Sequence, residues 1–206
     1  MVSKDGIFFH PWVGRNYTSG GIFGKRIMAL GESHYCGEAC NICGQSFNWC
    51  NQFTENIVKE YLNPNIEREG WMSTYLKFER SLVNHNTTPS ESKEIWDSIL
   101  FYNYLQTAVR KARQAGTSAQ YRASEKAFFS VIDKYEPELI VVWGVRLWNK
   151  LPRTRWEDGP RMLEDGYEVQ NGYYQFANGG KSRVVCVYHP SVGYSWDYWY
   201  RVIMGC

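Results

Sequence analysis

The chain has 206 residues, 44% of them hydrophobic and 21% charged. That size and composition suit one globular domain with a sizeable core of its own, and they exclude a disordered chain. The formal net charge is only +2, so a nucleic-acid partner would have to be met by a local patch rather than by bulk charge. No segment approaches the roughly 20 apolar residues of a membrane span. Residues 1–6 lack the basic-then-apolar layout of a secretory signal, so the expectation is a cytoplasmic chain with no membrane partner. Its six cysteines then read as thiols or metal ligands rather than disulfides.

In chain order, residues 1–20 read as an irregular arm with turn signals at Gly14 and Ser19-Gly20-Gly21, at the start of a single domain spanning 1–206. Residues 26–30 are a short apolar run that Gly31 ends, the pattern of a buried strand. Residues 32–50 form a loop dense in Gly and Cys. Helical spacing follows over 51–62 (Phe53, Ile57, Val58, Leu62) and 71–83 (Trp71, Tyr75, Phe78, Leu82). Residues 95–105 run from a helix into an apolar stretch that reaches Asn103. Residues 119–135 form an amphipathic helix through Ala127, Phe128, Val131 and Ile132. Residues 138–143 are a second buried strand, stopped by Gly144 and followed by a short helix over 145–151. Residues 167–170 and 173–176 flank Asn171-Gly172, a dipeptide suited to a two-residue hairpin turn. A strand over 184–188 and a helix over 196–204 close the chain. This alternation predicts an α/β fold with a mainly parallel sheet and helices on both faces.

In such sheets ligands bind just beyond the carboxyl ends of the strands, which points to Gly31 onward, Gly144 onward and His189 onward. Two of the three carry chemically capable residues. Gly31 is followed by Glu32-Ser33-His34-Tyr35, a carboxylate, a hydroxyl, an imidazole and a phenol in a row. His189-Pro190-Ser191 follows the last buried strand, where proline fixes φ and orients the imidazole before it. Asn103 ends a third apolar run, and a buried amide needs partners, whether backbone or the edge of a base. Each feature also has a plainer reading: a turn whose polar chains cap the next element, a loop histidine, an amide bonded to backbone. Aromatics make up 17% of the chain; many are core, and others suit stacking on bases or sugars.

The order Gly31-Glu32, Asn103, His189-Pro190-Ser191 resembles the uracil-DNA glycosylase superfamily, whose members carry Gly-Glu or a variant after the first core strand, a base-reading Asn, and His-Pro-Ser after the last. The match spans about residues 26–191 as short islands. The resemblance implies a three-layer αβα sandwich around a central, mainly parallel four-stranded sheet, with the small hairpin as an addition. It implies an enzyme that hydrolyses the N-glycosidic bond of a flipped-out base, leaves an abasic site and needs no cofactor for catalysis. Glu32 would stabilise the sugar cation and His189 the departing base; Asn103 would read the Watson–Crick edge. Ser33, His34 and Tyr35 would wall the pocket, with Phe47, Trp49 or Phe53 stacking on the base. Pro190 and Ser191 would contact backbone phosphate, and Val192, Tyr194 and Trp196 would press into the minor groove. DNA is the implied partner, with no obligate protein partner. Lys25, Arg26, Arg110, Lys111, Arg113, Arg153 and Arg155 offer further phosphate contacts, though most such charges are simply solvated.

The first motif reads Glu-Ser-His-Tyr rather than the Glu-Ala-Pro-Gly or Gln-Asp-Pro-Tyr-His of uracil enzymes. That departure turns the expected substrate from uracil to a modified pyrimidine, such as the hydroxymethylated or glucosylated cytosine of phage DNA, in a repair or antiviral setting. The chain also clusters Cys36, Cys40, Cys43 and Cys50, which as thiolates suit a structural zinc or iron–sulfur site, or serve as free thiols. Cys36-x3-Cys40-x2-Cys43 is also the spacing of radical S-adenosylmethionine enzymes, the competing enzymatic reading. Against it stand the absence of a Gly-Gly-Glu stretch after the second strand and a length short for that barrel. A third reading keeps the fold and the nucleic-acid binding but no catalysis.

Overall fold

The computed structural model describes residues 4–36 and 48–206. In chain order its elements are β1 (Trp12–Val13), β2 (Ile27–Gly31), α1 (Phe53–Leu62), α2 (Met72–Val83), α3 (Pro89–Ser98), β3 (Ile99–Asn103), α4 (Ser118–Tyr135), β4 (Leu139–Trp143), α5 (Val145–Trp148), β5 (Trp156–Asp158), β6 (Leu163–Glu164), β7 (Tyr167–Glu168), β8 (Asn171–Gln175), β9 (Lys181–Val187) and α6 (Trp196–Met204). Short 3-10 turns precede β2 and α1.

Seven strands form one mixed sheet in the order β1-β3-β2-β4-β9-β8-β5. The inner four, β3-β2-β4-β9, pair in parallel. β2, β3 and β4 are buried along their whole length, as expected of strands covered on both faces. The expected four-stranded sheet is thus too small. Antiparallel β1 extends it on one side, and antiparallel β8 and β5 on the other. These edges are short or polar, so they lack the continuous apolar run that marks the inner strands.

Alternation along the strands sends Met28, Leu30, Leu100, Tyr102, Ile140 and Val142 to one face, where α4 and α5 cover them with Phe128, Val131, Ile132 and Leu147. Ile27, Ala29, Ile99, Phe101, Val141 and Trp143 go to the other face, under α1, α2, α3 and α6. Three layers result. Local chemistry starts the helices: Thr88 with Glu91, and Thr117 with Gln120, each form a reciprocal capping box, and Pro89 opens α3.

One expectation needs correcting and another gains detail. The amino-terminal segment is mostly irregular but anchored, because Phe9 and Tyr17 are buried and Trp12–Val13 pairs with β3. The hairpin turn is not at Asn171-Gly172. It lies at Asp165-Gly166, both with positive φ (49° and 82°), between β6 and β7, which is the backbone a two-residue turn requires. Gly172 instead sits inside β8, where a Cβ would come within 2.1 Å of the Trp156 ring. That glycine makes room for an indole rather than for a turn.

Candidate functional site

The carboxyl ends of the four parallel strands lie at one edge of the sheet, and the chain adds three loops there. Gly31 and Asn103 face each other as the last registered pair of β2 and β3. The ladder then continues past both strands, with the N–H of Tyr104 donating to Gly31 O and that of Leu105 to Glu32 O, each at 2.9 Å. A Cβ on residue 31 would stand 2.2 Å from Asn103 Oδ1. Glycine is therefore needed at 31 so that the Asn103 amide can lie across the strand end.

Asn103 is buried, as is His34, whose ring takes up its amide: Nδ2 of Asn103 lies 3.2 Å from the imidazole nitrogens. His34 Nε2 is 2.8 Å from Thr54 Oγ1 at the start of α1. If the amide donates to Nδ1, then Nε2 carries the proton and gives it to Thr54, a directed chain that fixes Asn103 Oδ1 on the far side. Burial lowers the His34 pKa to about 3, so the ring is neutral at ordinary pH. The rings of Phe9 and Phe53 pack against it with centroids 4.9 and 4.5 Å away.

Glu32 is 8% exposed and its carboxylate is held from two directions. Arg146, in the first turn of α5, donates to Oε2 through Nε at 2.7 Å and Nη2 at 2.6 Å. The Tyr121 hydroxyl, at the start of α4, donates to Oε1. Burial first and the Glu32 carboxylate second raise the Tyr121 pKa, which keeps that phenol a donor. Two oxygens offer four acceptor positions. Described residues fill three of them and leave one on Oε1.

His189 follows β9 and abuts Gly144, whose φ is +99° and whose Cβ, if it had one, would lie 3.4 Å from that of His189. The Ser191 backbone N–H donates to His189 Nδ1 at 3.2 Å, and the Ser191 hydroxyl is 2.7 Å from the same atom. A backbone N–H can only donate, so Nδ1 is the acceptor and the neutral ring carries its proton on Nε2. The ring is open to solvent on one side and crowded by protein on the other. That desolvation lowers its pKa; Glu32 opposes the shift and Arg146 adds to it, so the three groups share one electrostatic neighbourhood.

The remaining expected site residues scatter. Ser33 is partly exposed, Tyr35 is exposed and bridged to Val109, and Pro190 is buried. Ser191 is exposed and engaged by His189, and Val192 is exposed at 60%. Tyr194 is not free to enter a groove: it is buried, with its hydroxyl 2.7 Å from that of Ser81. Trp196 packs partly against the core. Phe47, Cys40, Cys43 and the Trp49 side chain lie outside the described residues. Cys36 is disulfide-bonded and Cys50 is a free, partly buried thiol, so the expectation of thiols or metal ligands alone does not hold for Cys36.

Sequence reasoning missed Arg146 and Tyr121. Arg146 was findable, standing two residues past Gly144 at the one strand end to which no chemistry was given. Tyr121 lies 89 residues from its carboxylate partner and carries no local signal. A cavity of about 400 Å3 under the amino-terminal segment, lined by Asp5, His10, Trp12, Glu55 and Tyr135 among others, includes none of these groups. No family model matches the chain, and no curated protein matches its sequence.

Proposed function

We propose that the chain is a DNA glycosylase, an N-glycosyl hydrolase acting on a nucleotide flipped into the strand-end site, with an altered pyrimidine as its base. The observation that carries this reading is the convergence of the oriented Asn103 amide, the Glu32 carboxylate and the Nε2–H of His189 at one edge of the sheet. Cleavage of an N-glycosidic bond needs those three things: a reader for the base, negative charge for an oxocarbenium-like sugar, and a donor for the departing base.

In this account Asn103 Oδ1 accepts from an N–H on the Watson–Crick edge, while its Nδ2 is oriented by His34. His189 donates through Nε2 to the carbonyl oxygen on which negative charge grows as the bond breaks. A neutral imidazole suits that task, because the ring enters the reaction already carrying the one proton it needs to share. Glu32 acts mainly as a fixed negative charge. Arg146 and Tyr121 hold the carboxylate in place, and the acceptor position on Oε1 that no described residue fills can orient the attacking water.

The Ser33-His34-Tyr35 sequence supports an altered pyrimidine over plain uracil, because His34 stands where uracil enzymes have Pro and Tyr35 where some of them have Gly. Hydroxymethylated or glucosylated cytosine, as in phage DNA, is the leading substrate. Mass analysis of bases released from uracil-containing, hydroxymethylated and glucosylated DNA tests this directly. Release of the modified base supports the reading, and cleavage of uracil alone overturns its substrate.

A further inference from the structure

Residues 109–114 connect the candidate site to three exposed cations, Arg110, Lys111 and Arg113. The segment is a built turn rather than a loose loop. Gln114 Oε1 accepts from the backbone N–H groups of both Arg110 and Lys111 at 3.2 Å, and Gln114 N donates to Lys111 O at 3.2 Å. One end is sewn to the first motif: Val109 N donates to His34 O at 2.8 Å, Cys36 N donates to Val109 O at 3.1 Å, and Tyr35 and Val109 form a parallel bridge. At the other end Arg113 is held with φ at +65°, an uncommon conformation outside glycine. Its carbonyl accepts from Arg146 Nη1 at 2.9 Å. Arg146 thus grips the catalytic carboxylate with Nε and Nη2 and the basic turn with Nη1.

Arg110 and Arg113 also differ from many other cations in the chain. Arg15, Arg26, Lys93, Arg155, Lys181 and Arg201 each lie within 4.0 Å of a carboxylate. Arg110 and Arg113 have no such ion pair with any described residue. Because Gln114 occupies the N–H groups of Arg110 and Lys111, the Arg110 and Arg113 side chains are what the turn offers to a partner, and guanidinium groups suit the tetrahedral, multiply charged face of a phosphate.

We propose that the 109–114 turn is a preorganised grip for nucleic-acid backbone phosphates, and that Arg146 fixes its distance from Glu32. The proposal rests on the glycosylase reading of the site, because that reading supplies a polyanion whose sugar must sit over Glu32. Backbone phosphates flanking a flipped nucleotide lie within a side-chain length of the sugar, and Arg146 joins the turn directly to Glu32.

The test measures duplex DNA affinity of the full chain across a salt series, for wild type, Arg110→Ala/Arg113→Ala and a control, Lys93→Ala/Lys181→Ala. The control removes the same charge at the opposite, amino-terminal edge of the sheet. Each phosphate contact adds about 0.9 to the slope of log affinity against log salt. Loss of both arginines is therefore expected to lower the slope by about 1.8 and affinity at 0.1 M salt by tenfold or more, with the control unchanged. Equal slopes for wild type and the arginine variant, or an equal fall in the control, would overturn the grip. Base release is read in parallel and separates the two claims. Release with an unaltered slope leaves the glycosylase reading standing and removes the grip. An altered slope with no release from any DNA keeps the grip and removes the glycosylase reading. Absence of any salt-dependent DNA binding by wild type removes both.

Discussion

At the scale of single residues, the site depends on space as much as on chemistry. Gly31 has an ordinary backbone conformation and is required only because Asn103 Oδ1 lies 2.2 Å from where its Cβ would be. Gly31→Ala should push the amide off the position proposed for base reading and lower kcat/KM about a hundredfold, the scale a 1 Å misplacement can reach. Asn103→Ala should cost a similar amount, and the double variant little more than either, since both remove one interaction. Single-turnover base release measures this, with circular dichroism to confirm folding. Histidine burial makes a second claim at this scale. His34 is neutral in the fold with a pKa near 3, whereas the unfolded chain takes up the proton near pH 6.5. The stability that neutrality provides is complete above pH 6.5 and is lost as pH falls toward 3. At pH 5 the loss from His34 is about 2 kcal/mol, at 1.36 kcal/mol per pH unit. The lowered pKa of His189 acts in the same direction. Urea unfolding between pH 7 and pH 5 reads the slope, and His34→Gln should flatten it whatever its effect on absolute stability.

Among the elements, legibility followed the physics of burial. β2, β3 and β4 are covered on both faces, so their sequences are unbroken apolar runs that Gly31, Asn103 and Gly144 terminate visibly. The amphipathic helices α1, α2, α4 and α6 declare themselves by spacing. β1 and β5 are two- and three-residue pieces of edge strand, too short for any period. β8 was misread because glycine has two uses: Asn171-Gly172 has the composition of a turn, yet its glycine accommodates Trp156. Gly172→Ala would place a methyl 2.1 Å from that ring and should destabilise the fold by about 1–3 kcal/mol through overpacking. Base release by the folded fraction should be unaffected, because β8 and β5 lie two strands or more from Asn103 and Glu32. Denaturant titration checks the first effect and an activity assay under native conditions the second.

For the whole molecule, the sheet's parallel centre determines where a site can be, and the loops beyond it supply the chemistry. Glu32, Asn103 and His189 were legible because each immediately follows or ends a strand of that centre. Arg146 and Tyr121 were not, because their partnership with Glu32 spans 114 and 89 residues and arises only when α4 and α5 pack beside β2. These long-range contacts add two partners to Glu32, Arg146 and Tyr121, which hold its carboxylate and leave one acceptor position that no described residue fills. The central claim is that this arrangement breaks an N-glycosidic bond. The most direct measurement is mass spectrometric detection of free base from modified-cytosine DNA, with wild type, Glu32→Gln and His189→Ala in parallel. The account predicts a released modified pyrimidine and an alkali-labile abasic site with wild type, and rates lower by a factor of about 100 or more in each variant. No free base from any DNA tested, or release undiminished in both variants, would contradict it.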